Sequence, residues 1–165
     1  MPRHYGKIIF TRIYNRAYCG NTAYDCFYCL LKPNVFDNMT TQDFLTKLTE
    51  QFPEHEQTCR EHVEDYGKIL PHVLAGDTIN VPLTELLKKN DNSPKIRAYC
   101  DFIEMMWREG DEQIINVVEV TILEYLSYYD DIWQNFGKYI SSEFKSYINN
   151  DVLKNNVAMQ QVKVL

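Results

Sequence analysis

Cationic side chains are in deficit in this sequence. Lysine and arginine number 17 against 23 aspartates and glutamates, a formal net charge of −6. That balance argues against nucleic acid or an anionic membrane as partner, since both demand at least a local surplus of positive charge. Long apolar runs are missing too. The best candidate, Ile114 to Leu126, is interrupted by Asn116, Glu119, Thr121 and Glu124, and falls short of the roughly 20 residues that span a bilayer. Near the N-terminus the apolar stretch Ile8-Ile9-Phe10 stops at Thr11-Arg12, too early for an export signal. The expected compartment is therefore the cytoplasm, with the five cysteines as reduced thiols.

Motifs that announce chemistry are scarce. There is no G-x-S-x-G, phosphate-binding loop, dinucleotide glycine set or zinc deaminase pattern. Cys26 and Cys29 form a lone C-x-x-C, with only Cys19 and His4 nearby at the wrong spacing for zinc. His55, Cys59 and His62 recur at i, i+4 and i+7, so one helix face could present three metal-ligand atoms. The same spacing also describes a buried face, which is the plainer expectation. No metal and no cofactor are expected. Glu119 and Glu124 on the 114–126 run are possible buried bases, though not an organised catalytic pair.

What the sequence does contain is dense helical patterning, and it begins abruptly. Residues 1–38 hold five basic and two acidic groups, five of the twelve tyrosines and three of the five cysteines, without a 3.6-residue period; their best element is a possible strand, Lys7 to Tyr14. Residues 39–165 hold 12 basic and 21 acidic groups, a net −9. The expected organisation is an N-terminal extension over 1–38 that is non-helical or weakly structured, an acidic helical domain over 39–155, and an ill-ordered tail over 156–165. Met39 is a candidate true start of the domain.

Within 39–155, Thr40 or Thr41 and Asp43 mark a helix start, and Phe44, Leu45, Leu48 and Phe52 share one face. Pro53 opens a second helix that stops at Gly67, with an inner face of His55, Cys59, His62, Val63 and Tyr66. A short helix from Pro71 is expected to break or kink at Gly76, and Pro82 to restart it as far as Lys89. Ser93-Pro94 begins a helix closed by Gly110, after which Asp111 caps the next, with Arg97/Asp101 and Glu104/Arg108 as ion pairs on the wet face of the first. Residues 112–126 read as the central, most buried helix; Asp130 or Asp131 is expected to cap the next one, and Ser141 or Ser142 to lead into the last. The fold class is all-α: a helical bundle or a short stack of helical hairpins of the HEAT type.

Charge is the feature with most bearing on function. Acidic groups crowd Glu54 to Asp65, Glu109 to Glu112, and Asp130-Asp131. Such a body can steer and hold a basic protein, with Glu64, Asp65, Asp111, Glu112, Asp130 and Asp131 as contact candidates and Trp133 as the aromatic anchor.

Two stretches resemble a known family. Gly67 to Asp77, containing Leu70-Pro71-His72 and then Gly76-Asp77, resembles the "LLPH, three residues, GD" signature of a bacterial all-helical domain family of unknown function. Gly110 to Leu126 is similar to its second signature, a GD turn, Asn116, an apolar run and a Glu124-x-Leu126 close, with Ile122 in a Phe position. The similarity covers about 40–139. It implies a small cytosolic protein encoded near polymorphic toxins of the Rhs or contact-dependent type. The implied role is immunity: binding a cognate toxin domain and blocking its active site. His72, Gly76, Asp77, Asn116 and Glu124 match the motifs and are expected to shape the fold rather than to bind. Two other readings are a helical adaptor for another protein and a small hydrolase using His72 and Asp77.

Overall fold

The computed structural model describes residues 38–89, 93–159 and 161–165, all within one compact unit, Phe36–Leu165. The extension expected over 1–38, its possible strand and the C-x-x-C cysteines lie outside the described residues, Asn38 apart. The described part is all-α, as the patterning predicts. Helices and one isolated bridge, Met39 to Gly110, are its regular elements.

Helix α1 (Thr41–Gln51) starts where the sequence places it. Thr40 Oγ1 accepts the Asp43 N–H at 3.3 Å and Asp43 Oδ2 accepts the Thr40 N–H at 2.9 Å, a reciprocal cap. Asp43 Oδ2 also accepts the Thr40 hydroxyl at 2.7 Å, and this bond, together with the one from the Thr40 N–H, holds the Asp43 carboxyl below its ordinary pKa. Phe44 and Leu48 point inward, and Phe52 beyond the helix end stacks flat on Tyr99 at 4.2 Å. A turn of 3₁₀ helix from Pro53 leads into α2 (Glu56–Tyr66). Gly67 ends it at φ 64°, a left-handed conformation that side chains with a Cβ resist.

No break occurs at Gly76. Helix α3 (Pro71–Ala75) continues through a π-helical segment, Gly76–Asn80, into α4 (Val81–Lys89), with Gly76 itself at φ −56° and ψ −51°. Widening the turn keeps Thr78, Ile79 and Asn80 all buried, so glycine here extends a helix instead of interrupting it. Helix α5 (Pro94–Glu109) starts on Ser93, whose Oγ accepts the Lys95 N–H. It buries Ile96, Tyr99, Cys100, Phe102, Ile103, Glu104 and Met106, and touches both α4 and α6 (Glu112–Val117). α5 thus buries seven side chains, against six on the 112–126 stretch, which packs on α1, α3 and α5.

That later stretch is helical, as expected: α6 passes through a second π-helical segment, Val118–Leu123, into α7 (Glu124–Ser127). It is not buried all round, because Glu112, Gln113, Asn116 and Val120 form an open face. Helices α8 (Asp130–Phe136), α9 (Ser142–Tyr147) and α10 (Leu153–Asn155) complete the body, with a third π-helical segment at Ile148–Val152; Asp130 and Asp131 lie inside the first turn of α8 and do not cap it, its N-cap being Tyr129.

The tail is the larger surprise. It is held in place: Met159 is fully buried, Lys163 O accepts the Trp133 indole N–H at 2.7 Å, and Leu165 N–H donates to Asn149 Oδ1 at 3.0 Å. A stretch that lacks periodicity of its own docks here through backbone groups and two or three apolar side chains, which hydropathy patterns do not report.

His55 supplies a pH dependence. Its Nε2 and the Tyr99 hydroxyl share a hydrogen bond of 2.8 Å. Burial lowers its pKa below 6.5, outweighing the opposing pull of Glu54. The unfolded chain therefore binds more protons than the folded one between that lowered value and about 6.5. The His55 contribution to stability is expected to be full above pH 7, to fall as the pH drops through 6.5, and to be lost below the folded value. Denaturant melts at pH 7.5 and 5 check this, since His55→Gln keeps an acceptor for Tyr99 and should lose less stability over that interval.

Candidate protein-binding surface

Helix α2 is attached to the body by few side chains. Cys59 and His62 are its buried residues, whereas Val63 and Tyr66, predicted to face inward, are 36% and 52% exposed. The reason is compositional. Glu56, Glu61, Glu64 and Asp65 occupy so much of the helix circumference that no broad apolar face remains to bury. His62 secures the next turn instead: its Nε2 accepts the Leu70 N–H at 3.0 Å, at the start of α3.

Loose apposition of α1 and α2 leaves a groove. It consists of two adjoining recesses of about 550 and 440 Å³ that share Leu45 and Val63. Leu45, Val63 and Cys59 form the apolar floor; Glu56, Arg60 and Glu64, at i, i+4 and i+8, form one rim, and Thr46 and Thr49 line the other side. At the far end the groove meets Lys68, Ile69 and Gln113. Burial raises the Cys59 thiol pKa, so at neutral pH it contributes apolar surface rather than a nucleophile.

The side chains singled out for chemistry are otherwise engaged. His55 is bound to Tyr99 and His62 to Leu70, so the i, i+4, i+7 set does not converge. Among the described residues no group of three or more His, Cys, Asp or Glu side chains is placed to hold a metal ion. His72 Nδ1 shares a 2.6 Å hydrogen bond with Thr121 Oγ1, and no hydrogen bond joins His72 to Asp77, which is exposed. Glu119 accepts from the Tyr147 hydroxyl and Glu124 from the Tyr128 hydroxyl.

The two motif stretches meet in space. Thr121 takes His72 on its hydroxyl and the Asn80 amide on its carbonyl, at 3.0 Å, which locks one π-helical segment against the other. Gly76 lies within that contact region of the helix, while Asn116 points to solvent.

The expected contact residues divide. Glu64 stands on the groove rim and Asp65 beside it, both exposed and in no ion pair among the described residues. Glu112 and Asp131 are exposed elsewhere. Asp111 is an N-cap, its Oδ1 accepting the Ile114 N–H at 2.9 Å, and Asp130 is paired with Lys163. Trp133 cannot serve as an exposed anchor: it is 1% exposed, covered by the docked tail. The exposed aromatics of this region are Tyr128 and Tyr129. The groove itself escaped the sequence reading, although the acidic circumference of α2 was a signal that Val63 would stay uncovered.

Fold and surface together define an all-helical protein with an open apolar groove under an acidic rim. It belongs to the family described as Domain of unknown function (DUF7674), which matches residues 45–154. No curated protein and no solved structure matches the chain. None of the described helices is long and apolar enough to cross a membrane.

Proposed function

We propose that this chain is an immunity-type binding protein, which holds a basic cognate toxin domain in the cytoplasm and blocks it. One observation carries the reading. Helix α2 turns Glu56, Glu61, Glu64 and Asp65 to solvent, and none of the four is neutralised by an ion pair among the described residues. Their mutual repulsion adds nothing to folding, whereas a cationic partner relieves it and is steered toward it. The resemblance of the two motif stretches supplies the kind of partner, a toxin encoded beside the protein.

Co-expression of the neighbouring toxin domain with this chain tests the reading. Expected are rescue of growth and a 1:1 complex whose affinity drops at least about tenfold between 50 and 500 mM salt, as screening shortens the reach of the charges. Failure to protect the cells sinks it.

A further inference from the structure

The groove between α1 and α2 has a chemistry that specifies its occupant. Its floor is apolar, and Val63, which α2 contributes together with the buried Cys59, remains more than a third exposed. Its length is set by α1: the lining residues run from Thr41 to Thr49, about 12 Å of helix rise. That span accommodates roughly two turns of another helix lying along it. Its charge is set by α2. Residues 38–68 carry seven carboxylates against three cations; Lys47 is drawn off to Glu109 and Glu54 to Lys95, which leaves six carboxylates against Arg60 and Lys68. Two cations line the groove: Arg60, which donates to the Gln57 side chain and sits between Glu56 and Glu64 along α2, and Lys68 at the far end.

We infer that this groove is a docking site for a short cationic amphipathic helix of a partner protein. Leucine-like side chains of that helix cover Leu45, Val63 and Cys59, and its lysines or arginines lie along Glu56 and Glu64. Long cationic side chains suit this border, because their aliphatic stems extend the apolar contact while the charged ends reach the rim. Helix-in-groove recognition of this kind is read out by anchors at i, i+3 and i+4. The inference rests on the binding role proposed for the chain and locates it on one face.

The test uses the full chain and three synthetic peptides of about 12 to 15 residues. The first carries leucine at i, i+3 and i+4 with lysine elsewhere, the second has glutamate for lysine, and the third is the lysine peptide with its order scrambled. Expected is binding of the lysine peptide with a Kd on the order of 10–100 μM at low salt. Amide chemical-shift changes should centre on Leu45, Thr49, Cys59 and Val63. Glu56→Lys/Glu64→Lys should weaken binding at least about tenfold, and Val63→Asn several-fold. Asp151→Lys, in the 148–152 segment, should leave it unchanged. Folding is not at risk in these variants, since the replaced side chains are exposed.

Equal binding of the glutamate or scrambled peptide, no binding of the lysine peptide, undiminished binding by the double variant, or shifts centred elsewhere would each overturn the site. Its fate is separable from that of the immunity role. Cells protected as well by Glu56→Lys/Glu64→Lys as by the parent chain eliminate the groove and leave neutralisation standing. Peptide binding in the groove without protection does the reverse.

Discussion

Replacing Glu104 with alanine is expected to lower the stability of the helical body by about 2–4 kcal/mol. The sequence pairs Glu104 with Arg108 on a wet helix face, where such a pair contributes a few tenths of a kcal/mol. The structure places the Glu104 side chain at 6% exposure and gives both its oxygens work. Oε1 accepts the Ser141 N–H at 2.6 Å; Oε2 accepts the Ser141 hydroxyl at 2.6 Å and an Arg108 guanidinium N–H at 2.8 Å. Ser141 is itself the N-cap of α9, its Oγ accepting the Phe144 N–H. Alanine therefore leaves the α9 cap half unpaired in a site that water reaches poorly. Arg108→Ala should cost less than about 1 kcal/mol, because its guanidinium is half in solvent and the carboxylate keeps Ser141. Urea melts of the two variants measure the contrast, and equal losses would show that the ion pair, not the Ser141 tether, is what matters.

Gly110→Ala is the second large effect, a loss of about 3 kcal/mol or more. The sequence reads Gly110 only as a helix stop. In the fold, Met39 runs alongside this point, its N–H donating to Glu109 O at 2.6 Å and its carbonyl accepting the Asp111 N–H at 3.0 Å. A Cβ on residue 110 would stand 2.3 Å from the Met106 carbonyl oxygen and 2.8 Å from Ile114 Cγ2. The first is backbone within a well-packed helix, so the whole α5–α6 corner must shift and the Met39 bridge with it. Hydrogen exchange gives a specific readout: the Met39 and Asp111 amides should lose protection in Gly110→Ala beyond the global loss. Unchanged stability would mean that the corner is free to open. Because Met39 is buried and bound on both backbone sides, a chain starting at Met39 keeps this contact, whereas one starting at Thr41 loses it.

Much of the helical layout was readable before any coordinates. Thr40 with Asp43, Ser93 with Pro94, Asp111 and Ser141 cap helices for reasons local to a few residues, and Gly67 ends one for the same kind of reason. Gly76 misled, because a glycine in an apolar run looks like a break until a neighbouring helix packs on the widened turn. The recess between α1 and α2 was hidden for a related reason. His55, Cys59, His62, Val63 and Tyr66 share a period, yet only some of that stripe meets another element.

The amino-acid order alone determined the all-helical class, most helix starts, and the excess of negative charge on residues 39–165, since propensity, capping and formal charge are short-range properties. Only the tertiary structure decided which of those residues are covered. Trp133 went inside because the C-terminal residues fold back over it, Glu104 because α9 begins on top of it, and Val63 stayed out because no described element lies across it. Burial depends on what arrives from far away in the sequence, and periodicity along one helix carries no information about that second surface.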